Sequence, residues 1–160
     1  MTVLQPMCQE AFASYLETAI EDYARDNIDS ERWPKEKARE LSRSAFRELL
    51  PQGLATADNL FFEIVESAAG RTFGYLWVAV ESRHGMREAF VYDLKIDEAY
   101  RRQGHAQRAM LALESILGGL GLSRIGLHVF GHNQAAQALY RKLGYLVTDI
   151  NMRKNIADSV

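Results

Sequence analysis

The stretch that most constrains the fold runs from Tyr92 to Gln107. Its first part predicts a strand, which leads through a glycine-containing turn into a helix that begins after Gly104. Backbone N–H groups at the start of a helix have no intrahelical partners, and the helix dipole favours negative charge beside them. A strand, a glycine turn and a helix start in this order predict a site for a phosphate-bearing ligand.

The turn itself, which we call the Gly104 turn, consists of Arg101, Arg102, Gln103, Gly104, His105 and Ala106. Gly104 and Ala106 are small, so a ligand can approach the backbone closely. Arg101 and Arg102 add fixed positive charge that suits phosphate. Solvated surface charge is the alternative explanation of the two arginines, but their position at a glycine turn favours phosphate binding.

Composition describes an ordinary globular chain. The 160 residues fit a single domain over 1–160 and suffice for a sizeable core. The hydrophobic fraction is 48% and the charged fraction 25%, both usual for a soluble protein. A net charge of −2 and a pI of about 6.1 argue against nucleic acid as a partner.

Several other classes of site and location are disfavoured. The single cysteine, Cys8, excludes an internal disulfide, and the four histidines lack the spacing of a metal site. The first residues do not have the basic start and apolar run of a signal peptide. No segment approaches ~18 consecutive apolar residues, so no membrane span is expected. These features predict a cytoplasmic protein without a metal.

Helical and strand patterns follow one another along the chain. Helices are predicted over residues 8–26, from Pro34 to about 49, from Gly104 to 118, and from Asn133 to 143; strands are predicted over 60–66, 72–80, 88–96, 124–130 and 145–151. The first two strands form a hairpin, and strand 124–130 follows a strand–helix unit, which predicts that it lies parallel to strand 88–96. The fold class is therefore a mixture of helix and sheet, α/β in the broad sense.

Two common phosphate-binding loops do not fit the Gly104 turn. A nucleotide-hydrolysing P-loop needs Gly-Lys-Ser/Thr, whereas His105 follows Gly104. A Rossmann dinucleotide loop needs three glycines, whereas this turn has one.

The pattern Arg101-x-x-Gly104-x-Ala106 resembles the pyrophosphate signature of the GNAT superfamily of acyl-CoA-dependent N-acetyltransferases. Two later matches strengthen the resemblance. Asn133 stands at the start of the next helix, after a parallel strand, and the segment Leu139–Tyr145 is similar to the family's closing Leu-Tyr-x-Lys-x-Gly-Phe/Tyr.

The resemblance implies a fold and a co-substrate. The fold is a mixed, mostly antiparallel sheet that splays between two central parallel strands and is flanked by about four helices. The co-substrate is acetyl-CoA, whose pantetheine arm would pair with the backbone of Leu94, Lys95 and Ile96 and whose pyrophosphate would lie on the amides of residues 102–106. The side chain of Asn133 would also bind the arm.

The resemblance further implies direct attack of an amine on the thioester, with Tyr140 as the general acid. A phenol stays protonated at neutral pH and can donate to the leaving thiolate; a plain core aromatic is the alternative. The base is open. Many relatives carry Glu-Asp where this chain has Tyr92-Asp93, so the candidates are Asp93, Glu88, His128 or a water chain held by them. For Asp93 and His128 a purely structural role is the alternative.

The acceptor is a primary amine on a small molecule or a protein, and its identity is open. Asp26, Asp29 and Glu31 beside Trp33 form a turn that would attract a cationic amine; an ordinary solvated loop is the competing explanation. Two other functions stay possible at this stage: a non-catalytic acyl-CoA-binding or sensing module, and transfer of a longer acyl group. A homodimer is also possible.

Overall fold

The computed structural model describes residues 1–157, which form one five-stranded sheet with helices on both faces. The strands are β1 (Thr2–Pro6), β2 (Asn59–Glu66), β3 (Thr72–Arg83), β4 (Met86–Ile96) and β5 (Ile125–Leu127); the helices are α1 (Gln9–Asp29), α2 (Lys35–Leu49), α3 (His105–Gly119) and α4 (Gln134–Lys142). The strand order is β1-β2-β3-β4-β5, antiparallel except for the parallel pair β4–β5. The predicted mixed, mostly antiparallel sheet with four helices is confirmed. Within residues 1–157, no helix is both long and apolar enough to cross a membrane.

Two hydrophobic cores pack against the two faces of the sheet. The first lies under α3 and includes Leu76, Val78, Ala89, Val91, Ala109, Met110 and Leu113. The second lies under α1 and α2 and includes Phe12, Tyr15, Phe46, Phe61 and Trp77. The side chains of each strand contribute alternately to the two cores, because successive side chains of a strand point to opposite faces of the sheet.

The pairing of β3 with β4 is interrupted by a bulge at Tyr92, the residue before Asp93. Trp77 lies opposite Asp93 and Val78 lies opposite Val91, which leaves Tyr92 without a cross-strand partner. An extra residue in one strand places two consecutive side chains on the same face. Tyr92 and Asp93 therefore both point to the α1–α2 side, where the Tyr92 ring stacks on Trp77 at 4.6 Å between centroids.

The two parallel strands separate soon after they meet. They are paired from Ala89–Ile125 to Val91–Leu127. Beyond that point, no strand within the described part of the chain pairs with β4 on its β5 side. The predicted splay is thus present, and the predicted strand 124–130 is reduced to Ile125–Leu127 because its second half has left the ladder.

Helix α1 is longer than the sequence predicted. It runs to Asp29 rather than 26, so the predicted turn 26–33 is shortened to the residues after the helix. Asn27 explains the extension: it is fully buried, and its side-chain amide donates to the carbonyl of Tyr23 at 2.8 Å. The backbone carbonyl of Asn27 accepts hydrogen bonds from the backbone amides of Arg32 and Trp33, and these bonds close the turn after the helix.

Two strand assignments need correction. The strand β1 at Thr2–Pro6 was not predicted, because its five residues carry a weak pattern and owe their conformation to pairing with β2. The strand predicted over 145–151 is wrong: these residues belong to no helix or strand, and they pair with no strand among residues 1–157. A strand pattern becomes a strand only where a neighbouring strand offers its edge.

Candidate active site

The Gly104 turn has the backbone geometry of an anion site. Arg102 and Gly104 both adopt left-handed conformations, with φ of 62° and 81°. Gly104 is the N-cap of α3, which begins at His105. The first amides of the helix therefore have no carbonyl one turn earlier to bind, and they point out of its N-terminus. This is the arrangement that favours a phosphate oxygen.

Arg108 is a functional candidate that the sequence reasoning missed. One of its Nη atoms would lie 2.7 Å from a Cβ added at Gly104, and the other donates to the carbonyl of Gln103 at 2.8 Å. Its Nε donates to the Thr2 hydroxyl at 2.9 Å. The guanidinium thus joins the turn to β1 and adds positive charge beside the helix start. Its position four residues after Gly104, one helical turn on, was the available signal.

The two predicted arginines differ in their contacts. Arg101 Nε donates to the carbonyl of Ile96 at 2.9 Å, so its side chain crosses from the turn to the end of β4. Arg102 is exposed. The open edge of β4 and the Gly104 turn are therefore tied together by Arg101.

The side chain of His105 faces the core rather than the ligand side. It is 8% exposed, and its ring stacks on Phe73 at 3.8 Å between centroids. Its Nδ1 lies 3.0 Å from Arg108 Nη2, and because arginine only donates, this nitrogen is the acceptor. Burial, followed by the charge of Arg108, lowers the pKa of His105. The contribution of His105 to an anion site is its backbone amide.

The end of β4 carries the residues predicted to face the pantetheine arm. On one side, Leu94, Lys95 and Ile96 pair with β3, and their other side is the edge opened by the splay. The side chain of Lys95 is engaged elsewhere, since its Nζ donates to Asp22 of α1 at 2.6 Å. Only the backbone of Lys95 is thus available at this edge.

Asp93 is bound by a residue from α1 that was not expected to have a polar role. The hydroxyl of Tyr15 donates to Asp93 Oδ2 at 2.7 Å. The ring of Tyr15 is buried, at 2% exposure, on the apolar face of α1 together with Phe12 and Ala19. Periodicity identified the buried face, but it gave no signal that the hydroxyl meets a carboxylate from β4.

The surroundings of Asp93 favour its protonated form. Burial raises the pKa of Asp93 to about 6. The hydrogen bond from Tyr15 opposes this increase, the charges of Asp22 and Asp26 add to it, and Lys95 opposes it. At neutral pH the group is mainly a carboxylate, yet its proton affinity is far higher than that of an exposed aspartate.

Tyr140 of α4 is the other residue predicted as catalytic. It is partly buried against the core under α3, and its ring lies 5.5 Å from that of Tyr145. Burial, followed by the negative charge of Asp93, raises the pKa of Tyr140 to about 12. The charge of Asp93 on β4 therefore acts on Tyr140 of α4. We call Tyr15, Asp93 and Tyr140 the Asp93 group.

Asn133 caps α4, as predicted. Its Oδ1 accepts from the amide of Ala136 at 3.1 Å. The cap uses the oxygen of the side chain and leaves the NH₂ group as the donor for a ligand.

The remaining candidate bases lie in different surroundings. Glu88 forms ion pairs with Arg83 at 3.7 Å and Arg124 at 3.9 Å, five residues before Asp93 on β4. His128 is exposed, with its ring edge against Phe130 at 5.1 Å between centroids. Partial desolvation of the ring, then the charge of Arg32, lowers the pKa of His128. Neither side chain has a hydrogen bond to the Asp93 group among the described contacts.

Tyr92, which replaces the first carboxylate of the related pattern, does not reach the base position either. Its hydroxyl donates to Glu81 on β3, away from Asp93. Burial, together with this bond to Glu81, raises the pKa of Tyr92 to about 12. The ring fills the space beside Trp77, so Tyr92 has a packing role.

The end of α1 contacts the segment after β5. The Trp33 ring packs edge-on against Tyr23 at 5.3 Å, and Phe130 lies 6.4 Å from Tyr23. His132 Nε2 lies 3.7 Å from Asp26 Oδ1. Burial raises the pKa of Asp26, although His132 opposes this. The predicted carboxylates Asp29 and Glu31 are exposed.

Ligand atoms of Asp26, Asp29 and His132 lie within 4.8 Å of one another. Exposed carboxylates often cluster in this way without a metal ion, and the chemistry developed below does not involve one.

The architecture and the residues at the β4–β5 opening define a class: an acyl-CoA-dependent transferase. Comparisons with known proteins agree. Residues 16–145 match the model of the acetyltransferase (GNAT) family, and the chain belongs to this family. It is 35% identical to the uncharacterized N-acetyltransferase YdgE of Bacillus subtilis (strain 168), covering 96% of this chain and 97% of that one. It is 37% identical to the uncharacterized N-acetyltransferase YycN of the same organism, covering 98% and 100%.

The fold comparison points to the same relative. The crystal structure of YycN from Bacillus subtilis superposes with a TM-score of 0.93 at 36% sequence identity, covering 98% of this chain and 99% of that one. The protein is therefore an N-acetyltransferase. Its family uses acetyl-CoA as co-substrate, and such an enzyme requires an acceptor.

Proposed function

We propose that the protein transfers the acetyl group of acetyl-CoA to a primary amine by direct attack on the thioester. One observation carries this proposal. Strand β4 loses its neighbour β5 beyond Val91–Leu127, so an open edge runs from Asp93 toward the Gly104 turn, and the negative charge of Asp93 contributes to the raised pKa of Tyr140. A proton acceptor and a proton donor are the two groups that aminolysis of a thioester requires.

Acetyl-CoA would be held largely by backbone. Its pyrophosphate would lie on the amides of residues 102–106, where Arg102 and Gly104 have the left-handed conformations noted above. Its pantetheine amides would pair with the β4 backbone from Leu94 to Ile96, which lacks a strand on that side among residues 1–157. The NH₂ group of Asn133 would donate to the arm, and Arg108 would add charge at the pyrophosphate.

The proposed reaction has a balanced proton account. Asp93 accepts a proton from the ammonium form of the substrate, directly or through water, and the neutral amine attacks the thioester carbonyl. The tetrahedral intermediate collapses with cleavage of the C–S bond. Tyr140 donates its proton to the departing sulfur, and the phenolate then recovers a proton from the acetylated nitrogen or from solvent. Asp93 releases its proton to solvent, and the products are an amide and free CoA.

The two shifted pKa values suit these roles. A pKa of about 6 makes Asp93 a carboxylate at neutral pH and a stronger base than an ordinary aspartate. A pKa of about 12 keeps Tyr140 protonated until a strongly basic thiolate develops beside it. Tyr15 is a positioning residue: its hydrogen bond holds Oδ2 of Asp93 and leaves Oδ1 for the substrate.

The acceptor is proposed to be a cationic amine. Asp22 and Asp26 on α1 both raise the pKa of Asp93. Asp22 is already paired with Lys95 at 2.6 Å, so Asp26 and Asp93 are the carboxylates proposed to attract the substrate. Trp33, Tyr23 and Phe130 form an aromatic wall beside them. Carboxylates and aromatic faces both attract ammonium groups.

The experiment is a thiol-release assay with acetyl-CoA over a matched amine panel. Each diamine or polyamine is paired with a neutral or acidic amine of similar length, and the product is confirmed by mass spectrometry. The expected result is acetylation with kcat/KM about tenfold or more higher for the cationic member of each pair, since 1.4 kcal/mol corresponds to a tenfold ratio. Equal rates within pairs would reject the cationic acceptor. Tight acetyl-CoA binding without transfer to any amine would reject the proposed reaction.

A further inference from the structure

The guanidinium of Arg108 is held beside the Gly104 turn by three acceptors from different parts of the chain. Its Nε donates to the hydroxyl of Thr2 on β1 at 2.9 Å, and its Nη2 donates to the backbone carbonyl of Gln103 at 2.8 Å. The same Nη2 lies 3.0 Å from Nδ1 of His105, at the start of α3. Because arginine is the donor in all three contacts, they fix the orientation of the guanidinium plane.

The hydroxyl of Thr2 connects Arg108 to His105. Nδ1 of His105 accepts from Arg108 and so carries no proton, which makes the Thr2 hydroxyl, 3.1 Å away, a donor to it. The hydroxyl thus accepts from Nε of Arg108 and donates to Nδ1 of His105. Thr2 and His105 are buried, at 7% and 8% exposure, so solvent competes little for the bond between them.

The third nitrogen of the guanidinium, Nη1, is left for a ligand. It forms no hydrogen bond with any residue of the described range 1–157, and Arg108 as a whole is exposed. A Cβ on Gly104 would stand 2.7 Å from Nη1, so this nitrogen occupies the space that a side chain at position 104 would take. The missing side chain of Gly104 therefore serves two purposes: it permits the left-handed φ, and it makes room for Nη1.

The positive charge of Arg108 is not neutralised by a carboxylate. No Asp or Glu in the described part of the chain forms an ion pair with it, whereas Arg25 and Lys95 both pair with Asp22. Its acceptors are a hydroxyl, a carbonyl and the imidazole of His105, whose pKa is lowered by burial so that the ring is neutral at neutral pH. The guanidinium therefore keeps its full attraction for an anion.

We propose that Thr2 and His105 are positioning residues for the co-substrate, which hold Arg108 so that its Nη1 donates to the pyrophosphate of acetyl-CoA. This inference rests on the proposed function, in which the pyrophosphate lies on the amides of residues 102–106. Arg108 is ordered before the ligand arrives, so binding costs less side-chain entropy. Strand β1 thereby takes part in the site through a hydroxyl 106 residues away in sequence.

A double-mutant cycle on CoA affinity, measured by calorimetric titration, tests the proposal. Arg108→Met should raise the Kd for CoA about tenfold or more, and Thr2→Val about fivefold, because a hydrogen bond with a charged group is lost or misdirected. The double variant should bind CoA within about twofold of Arg108→Met, since Thr2 acts only through Arg108. Thr2→Ser keeps the hydroxyl and should bind like the wild type. An unchanged Kd in Thr2→Val, or additive losses in the double variant, overturns the proposal.

The role of His105 is tested in the same cycle. His105→Phe keeps an aromatic ring against Phe73 and removes the acceptor Nδ1. The Kd for CoA should rise about threefold in the wild-type background and should not change further in the Arg108→Met background. An equal loss in both backgrounds would mean that His105 acts by packing and would overturn its positioning role.

Thr72→Val is the matched control for Thr2→Val. Thr72 is a partly buried threonine at the start of β3, and its hydroxyl donates to Glu63 at 3.5 Å rather than to the Gly104 turn. The Kd for CoA should stay near that of the wild type. A loss equal to that of Thr2→Val would indicate a general effect on the sheet and would reject the proposal.

Dephospho-CoA identifies the phosphate group involved, because it lacks the 3′-phosphate but keeps the pyrophosphate. Thr2→Val should weaken binding of CoA and of dephospho-CoA by the same factor. A loss seen with CoA alone would move the contact of Arg108 to the 3′-phosphate and contradict the proposal.

These titrations need no amine, so their outcome is separate from that of the transfer assay. CoA binding that depends on Thr2 and Arg108, without transfer to any amine, would support this inference and reject the proposed reaction. Acetyl transfer with a Kd that is unchanged in Thr2→Val would support the reaction and reject this inference.

Discussion

The Gly104 turn and the Asp93 group are the two halves of the proposed site, and they are built differently. The turn is one contiguous stretch whose proposed ligand groups are backbone amides, fixed by left-handed residues and a helix start. The Asp93 group consists of side chains from α1, β4 and α4, which are distant in sequence. The turn should therefore tolerate side-chain changes that keep its backbone conformation, whereas the Asp93 group should be sensitive to the loss of single atoms.

The largest expected effect is at Tyr140, where one oxygen is removed. Tyr140→Phe should lower kcat by about 10²–10⁴, the usual contribution of a general acid, while the Kd for acetyl-CoA stays within about twofold. Steady-state kinetics and calorimetric titration with CoA measure the two quantities.

Tyr145→Phe is the matched control for this substitution. Tyr145 lies against Tyr140, and its hydroxyl is buried without a hydrogen-bond partner among the described residues. Loss of that hydroxyl removes no described bond, so kcat should stay near that of the wild type. A similar kcat for both variants would reject the acid role of Tyr140.

At the Gly104 turn, a substitution that disturbs the backbone conformation should weaken CoA binding. Gly104→Glu places a Cβ 2.7 Å from Arg108 Nη1 at a φ of 81° and adds a negative charge where pyrophosphate is proposed to bind. The Kd for CoA should rise about 100-fold or more, equivalent to about 2.7 kcal/mol or more. Titration calorimetry measures this change.

Gly85→Glu is the control that separates an effect on the proposed pyrophosphate site from a general effect of backbone strain. Gly85 has a nearly equal φ of 79°, and a Cβ there meets no atom within 4 Å. The variant carries the same charge and comparable strain at the β3–β4 hairpin. If both variants weaken CoA binding equally, the Gly104 turn is not the pyrophosphate site.

The pH profile should identify Asp93 as the base. With a cationic amine, kcat/KM should rise with pH through about 6 as the carboxyl loses its proton. Asp93→Asn should lower kcat/KM at pH 7 by about tenfold or more and remove this acidic limb. A limb near pH 6 that persists in the variant would assign the base to another group.

The same substitution should stabilise the fold. The pKa of Asp93 is raised from 3.8 to about 6, so the folded state binds the proton more tightly than the unfolded state. The tighter proton binding adds to the free energy of unfolding. This addition is fully present below pH 3.8 and is lost as pH rises through about 6. At pH 7 the wild type lacks it, and Asp93→Asn should be more stable by at most about 3 kcal/mol in urea unfolding. A less stable variant at pH 7 would contradict the raised pKa.

The different construction of the two halves also explains what sequence could predict. The Gly104 turn was recognised because its glycine, arginines and helix start are adjacent in the chain. Asp93 and Tyr140 were predicted through resemblance, but Tyr15 was not, since helical periodicity indicates only that its ring is buried. The bulge at Tyr92 depends on how β3 and β4 pair, and neither strand encodes it alone. Strand β1 and the unpaired residues 145–151 show the same limit, because a strand is defined by its neighbour.

The smallest expected effect distinguishes positioning from catalysis within the Asp93 group. The hydrogen bond from Tyr15 lowers the pKa of Asp93, in opposition to burial. Tyr15→Phe removes this bond, so the pKa of Asp93 should increase and the acidic limb of kcat/KM should move to higher pH. At pH 6, kcat/KM of Tyr15→Phe should be about threefold lower than that of the wild type. At pH 8 the difference should nearly vanish, because the Asp93 carboxyl is ionised in both proteins. A uniform loss at both pH values would instead indicate a packing defect, and an unchanged profile would show that Tyr15 does not act through Asp93.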